Sequence, residues 1–172
     1  MKQAPNKRPT NGEFSPPPSG QMVIDGLDGR LLSLCLSEGR ASFRQMAASL
    51  GVSTTTVASR VARLESEGVV LGYSARVDAE KLGYGITAVT EILVSKGKLL
   101  EMEREIAKLP GVCAVYDVTG EIDGVVIAKF KDRQQLSAFT KGLLTMPFVE
   151  RANTHVVLTT VREDFRLPAP LE

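Results

Sequence analysis

Apolar residues recur at spacings of three and four in the first part of the chain and at spacings of two later, and the change of period falls just after Gly68. Leu31, Leu34 and Cys35, with Leu32 alongside, predict a helix from about Asp28 to Gly39, where the charge of Asp28 suits the open amides of the first turn. Ser42 opens a second helix, with Gln45 at the capping-box position and Phe43, Met46, Ala47 and Leu50 on its buried side; Gly51 ends it. Ser53 caps a third, whose stripe is Val57, Val61 and Leu64 and which Gly68 closes. Three helices, the last two joined by a short turn containing glycine, match the helix-turn-helix arrangement.

After Gly68, VVLGYSARVD reads as extended chain, either a wing beside the helices or an exit strand, and DAEKLGYG, residues 78–85, reads as a hinge. The order that follows is ITAVTEILV (strand), KLLEMEREIAKLP (helix), VCAVYDVTG and GVVIAKF (strands), RQQLSAFTKGLLTMP (helix) and THVVLTTV (strand). This βαββαβ order is the ferredoxin-like sandwich, two helices on one face of a four-stranded sheet, so the expected fold class is α+β. Leu99, Met102, Ile106 and Leu109 on the first helix, and Leu136, Phe139, Leu143 and Leu144 on the second, are the expected core. ITAVTEILV and THVVLTTV carry apolar residues on both alternating sets, more than one helical layer covers, which predicts a homodimer at least.

The expected organisation is a proline-rich disordered arm at 1–22, a helix-turn-helix domain at 23–72, a strand and hinge linker at 73–85, the βαββαβ domain at 86–165 and a flexible tail at 166–172. The arm holds five of the nine prolines and little to bury. At 43% hydrophobic and 24% charged, the composition is that of a soluble globular protein. No apolar run approaches a membrane span and the first residues lack a signal-peptide core, so a cytoplasmic protein with no membrane partner is expected. Cys35 and Cys113 stand apart among apolar neighbours and are expected to be small buried hydrophobes; no metal site or cofactor is expected.

Divided along the chain, the net charge of +1 conceals a window from Arg40 to Arg63 with four arginines and no acid, where a polyanion would dock. In the same window Thr54, Thr55 and Thr56 follow the cap Ser53. Threonine is a mediocre helix former, but a first turn has open amides, and short hydroxyl side chains there can approach base edges and phosphate oxygens. Ser53, Thr54, Thr55, Thr56 and Ser59 are therefore expected to face double-stranded DNA. Arg60 and Arg63 are expected to clamp the flanking backbone, with Ser42 and Arg44 positioning it on the other side of the groove. The plainer reading is a solvated surface helix with a hydroxyl-rich cap and an Arg63–Glu67 pair.

The residues Leu27-Asp28, Leu31-Leu32, Glu38-Gly39-Arg40-Ala41-Ser42, Leu50-Gly51-Val52-Ser53, Thr56-Val57, Arg60-Val61, Arg63-Leu64-Glu65, Gly68-Val69-Val70 and Gly72-Tyr73 resemble the Lrp/AsnC family. The likeness continues through Val77-Asp78, Leu82-Gly83, Pro110-Gly111-Val112, Gly120-Glu121-Ile122-Asp123 and Thr154 and covers about 23–165. It implies a transcription regulator with a winged helix-turn-helix, joined by a strand to a sandwich that pairs into dimers and often tetramers or octamers, working in the cytoplasm on the nucleoid. It also implies an amino acid or similar small effector near Gly120, Glu121, Ile122 and Asp123, Asp123 serving the ammonium and Gly120 leaving room for the carboxylate. The residues themselves indicate only a β-turn there, with Gly124 helping the bend. One departure is Met146-Pro147-Phe148-Val149, where the family often has a second Pro-Gly-Val; Phe148 adds bulk near an oligomer contact or a pocket mouth.

Two other function classes remain. An enzyme would have His155 as its only histidine, in an expected strand, with no catalytic cluster or phosphate loop beside it, so no catalytic residue is assigned. An architectural DNA-organising protein with modest sequence preference and no ligand would share the fold, and salt-dependent binding to a defined operator against random DNA separates the two.

Overall fold

The computed structural model describes residues 23–95 and 97–167, so the expected arm at 1–22 and residues 168–172 of the tail lie outside the described residues. The chain divides into two compact units, one of 23–76 with 163–167 and one of 77–162.

The first unit is helical. α1 (Gly26–Ser37) starts from Asp25, whose carboxylate accepts from the amides of Leu27 and Asp28, while Asp28 accepts from the Asp25 amide. α2 (Phe43–Leu50) has the expected Ser42/Gln45 capping box and ends at Gly51, whose φ of +68° is the left-handed value that makes glycine the low-cost residue at this turn. α3 (Thr54–Ser66) is capped by Ser53. Leu31, Met46, Ala47, Val57, Val61 and Leu64 form the core. Phe43, at the first position of α2, is exposed at the margin of this small core instead of inside it. Residues 71–78 pair with no strand and run as an exit segment, so no wing ladder forms there. Residues 163–167 belong to this unit, with Arg166 paired to Asp164 at 2.8 Å.

The second unit contains β1 (Ile86–Val94), α4 (Leu99–Ile106), β2 (Val112–Asp117), β3 (Gly124–Phe130), α5 (Arg133–Thr145) and β4 (Val149–Val156). The sheet order is β2-β3-β1-β4, every pairing antiparallel, as the βαββαβ reading requires. Alternation puts Ala88, Ile92, Val94, Val126, Ala128 and Phe130 on one face, where they bury Met102, Ile106, Phe139 and Leu143 from the helices. Thr90 is buried in the same layer, with its hydroxyl 3.0 Å from that of Thr154 on the neighbouring strand. On the other face Val89, Leu93, Val125 and Ile127 are half-buried.

Several sequence expectations need correction. β4 is VERANTHV, overlapping the expected THVVLTTV only at 154–156. β1 begins at Ile86, so its ladder with β4 ends with Ala88 opposite Val156 and a last bond from the Val157 amide to the Thr87 carbonyl. Leu158 and Val161 pass beyond it and are exposed, and the open face of β4 carries Arg151, Asn153 and His155. Cys113 is exposed because a register shift between Val112 and Ala114 puts it out of the ladder, and Cys35 is half-buried. Leu144 is exposed at the end of α5. Gly124 is no bend residue: it starts β3, and a side chain on it would meet Ile92 at 3.0 Å.

Candidate nucleic-acid interface and effector loop

At the start of α3 the hydroxyls are organised by the cap. Ser53 Oγ accepts from the Thr56 amide at 3.1 Å and lies 2.8 Å from Thr56 Oγ1 and 3.1 Å from Thr55 Oγ1. Thr54 and Thr55 are exposed, Thr56 is half-buried, and the exposed Ser59 donates to the Thr56 carbonyl at 3.1 Å. Three threonines are tolerated because the turn carrying them lacks intrahelical acceptors for its amides. Across the turn from α2, Ser42 is engaged with Gln45, and Arg44 is exposed with no acid paired to it among the described residues.

Arg60 and Arg63 are placed differently from the expectation. Arg60 Nη1 lies 2.5 Å from Asp25 Oδ2 and 2.9 Å from Asp28 Oδ1, and Arg63 Nη2 is in close contact with Asp28 Oδ2. The Asp28 side chain is 0% exposed, against 28% for Arg60 and 44% for Arg63. The window is free of acids in the sequence, but folding brings Asp28 of α1 and its cap Asp25 against it. Arg60 thus braces α1 against α3. The hydrogen bond from Arg60 is the main reason the Asp25 carboxyl is held down at about 2, from an ordinary 3.8. For Asp28 burial pushes the other way, but the bonds from Arg60 and Arg63 outweigh it and keep the carboxyl below its usual range. Both acids are therefore ionised at neutral pH. Sequence reading missed them as part of this site, although Asp25 and Asp28 are three apart on one helix and Arg60 and Arg63 three apart on another, spacings that let each pair share a face.

In the second unit, 118–123 joins β2 to β3. Asp123 pins this loop to β1: its Oδ2 accepts from the Val94 amide at 2.7 Å, and its own amide donates to the Ile92 carbonyl at 3.0 Å. Gly120 and Glu121 are exposed, Ile122 and Asp123 half-buried, and nothing lies within 4 Å of where a side chain on Gly120 would project. Below the loop, Glu103 of α4 has a buried Oε1 with no hydrogen-bond partner, and burial, followed by the charges of Asp117 and Asp123, pushes its carboxyl above the usual value. No motif marked Glu103 in the sequence, since its burial depends on how α4 packs. Among the described residues no group of His, Cys, Asp and Glu could hold a metal ion. No helix among them is long and apolar enough to cross a membrane.

Comparison with known proteins adds to this geometry. Residues 24–65 match the AsnC-type helix-turn-helix domain and residues 87–167 the Lrp/AsnC ligand binding domain. An HTH-type transcriptional regulator of Pyrococcus furiosus is 45% identical over 146 residues, covering 85% of this chain and 99% of its own. The feast or famine regulatory protein from M. tuberculosis complexed with L-methionine superposes with a TM-score of 0.76 at 30% identity, over 86% of this chain and 100% of that one. A transcriptional regulator from Neisseria meningitidis in complex with L-Met does so with a TM-score of 0.77 at 26% identity, over 85% and 97%.

Proposed function

The chain belongs to the Lrp/AsnC family of transcriptional regulators, and on that premise we propose that the start of α3 reads the major groove of double-stranded DNA while the second unit assembles the protein and senses an amino acid or similar small effector. The observation that carries the DNA contact is the exposed, hydroxyl-bearing first turn of a capped second helix in a helix-turn-helix. Ser53, Thr54, Thr55, Thr56 and Ser59 offer donors and acceptors to base edges and phosphates, and Ser42, Arg44 and the half-exposed Arg63 hold the flanking backbone. Arg60 acts through α1 instead. The regulator works in the cytoplasm on nucleoid DNA and catalyses no reaction.

The open sheet face, with Val89, Leu93, Val125 and Ile127, supports pairing of two copies into a dimer, from which tetramers or octamers are built. L-methionine is the natural first probe of the effector, since two similar regulators were solved with it. In this reading the loop Gly120-Glu121-Ile122-Asp123 receives the zwitterion: Asp123 keeps Oδ2 on Val94 and offers Oδ1 to the ammonium, and Gly120 leaves space for the carboxylate.

Selection of duplexes from a randomised pool by the full chain, with and without L-methionine, tests the proposal. A defined sequence bound roughly 1,000-fold or more above random DNA is expected. Thr55→Ala should reduce that preference while sparing random binding. Uniform recovery of all sequences would replace it with the architectural reading. Calorimetric titration with L-methionine, repeated on Asp123→Ala, tests the loop: equal heats from both would move the effector elsewhere, and no heat from any of the twenty amino acids would leave an assembly module alone.

A further inference from the structure

The ion cluster between α1 and α3 is more than a brace needs. A cap at position 25 could be serine, threonine or asparagine, none of them charged. A buried contact such as that of Asp28 holds helices together as well, and often better, when its ions are replaced by apolar groups of similar volume. Yet two carboxylates are set against two guanidiniums, and those belong to the helix that meets DNA. Of the four arginines from Arg40 to Arg63, Arg40 and Arg44 are exposed with no acid paired to them among the described residues, whereas Arg60 and Arg63 are paired with Asp25 and Asp28.

Each arginine that reaches a phosphate adds affinity for any sequence and displaces counterions, and it carries no information about the bases. We propose that Asp25 and Asp28 are specificity-determining residues of the DNA-binding unit: by tethering Arg60 they withhold a guanidinium from the phosphates and leave Arg63, on its single contact, to reach them, so that the hydroxyl-bearing turn of α3 decides which sequence is bound. The two arginines are held unequally. Arg60 bonds both acids through one nitrogen, while Arg63 keeps a single contact and stays more exposed. Asp25, half exposed at the mouth of the cluster, is the acid whose loss loosens Arg60 with least disturbance, leaving it a single bond to Asp28.

This inference rests on the DNA-binding reading, and the test separates them. Full-length wild type and Asp25→Asn, which keeps a capping side chain, are titrated by fluorescence anisotropy over a range of salt. The duplexes are one selected by the wild type from the randomised pool and its scrambled counterpart. The variant should bind scrambled DNA several-fold more tightly, with the slope of log affinity against log salt steeper by up to about 0.9, the release of one guanidinium to a phosphate. Its preference for the selected duplex should fall. Adding Arg60→Ala to Asp25→Asn should return the scrambled affinity and slope to wild-type values, a reversal that loss of a structural brace would not give. Asp25→Ser repeats the measurement with a second capping residue. Unchanged scrambled affinity and slope overturn the proposal, and so does a parallel loss on both duplexes, which would make the acids purely architectural. A wild type that binds neither duplex overturns the DNA-binding reading itself, and one that binds both equally replaces it with the architectural reading.

Discussion

The second unit makes the same helix-to-strand turn twice, and the two copies meet a shared backbone demand with different residues. Pro110-Gly111-Val112 follows α4 and leads into β2; Pro147-Phe148-Val149 follows α5 and leads into β4. Gly111 has a φ of +85° and Phe148 a φ of +75°, so both occupy the left-handed region that side chains resist. At Gly111 conformation and space act together: an added Cβ would lie 2.5 Å from the Lys129 carbonyl oxygen and 3.2 Å from the Phe130 ring. At Phe148 there is room. The residue is 43% exposed, Lys98 Nζ sits 5.0 Å from the ring centroid, and its carbonyl accepts from the Ser95 amide at 2.9 Å. Positive φ alone is therefore a tolerable cost, and close backbone approach is what makes glycine obligatory.

The largest expected effect comes from giving Gly111 a side chain. Gly111→Ala should lower stability by about 2–5 kcal/mol, combining backbone strain with a contact that must shift β3, and urea unfolding would measure it. A loss under about 1 kcal/mol would mean that the turn relaxes freely, and the contrast with Phe148 would collapse. Phe148→Gly should do the opposite and raise stability by about 1 kcal/mol or less, because relief from the left-handed conformation exceeds the lost ring contact and the added freedom of the unfolded chain. A clear destabilisation would show that the ring is a packing element. The smallest expected effect is the coupling of Lys98 to that ring. In a double-mutant cycle of Lys98→Ala with Phe148→Gly, about 0.5–1 kcal/mol of coupling is expected; the Lys98–Glu101 pair, 2.8 Å apart, cancels because it is lost on both sides of the cycle. Zero coupling would reduce Phe148 to a tolerated substitution.

Both units were legible where the signal is local. The caps at Ser42 and Ser53, the stripe Val57, Val61 and Leu64, and the strands Ile86–Val94 and Gly124–Phe130 follow from hydrogen bonds and side-chain periods that act within a few residues. The hydroxyl-rich turn was legible as an open helix start for the same reason. The last strand was misplaced because VVLTTV has the composition of a strand, while pairing requires a neighbour of sufficient length, and β1 ends the ladder. Cys113 was misplaced because a bulge is a property of two strands together.

Taken alone, the sequence determined the order of elements, the division into a helical and a βαββαβ part, and which turn of α3 carries the cap and its hydroxyls. These depend on short-range sterics and hydrogen bonding. Tertiary structure decided the charge that α3 presents. The distance along the chain from Asp28 to Arg60 hides a contact of 2.9 Å, and Coulomb attraction depends on separation in space and on the polarisability of the surroundings. Two of the four arginines in a window without acids became, on folding, partners of Asp25 and Asp28.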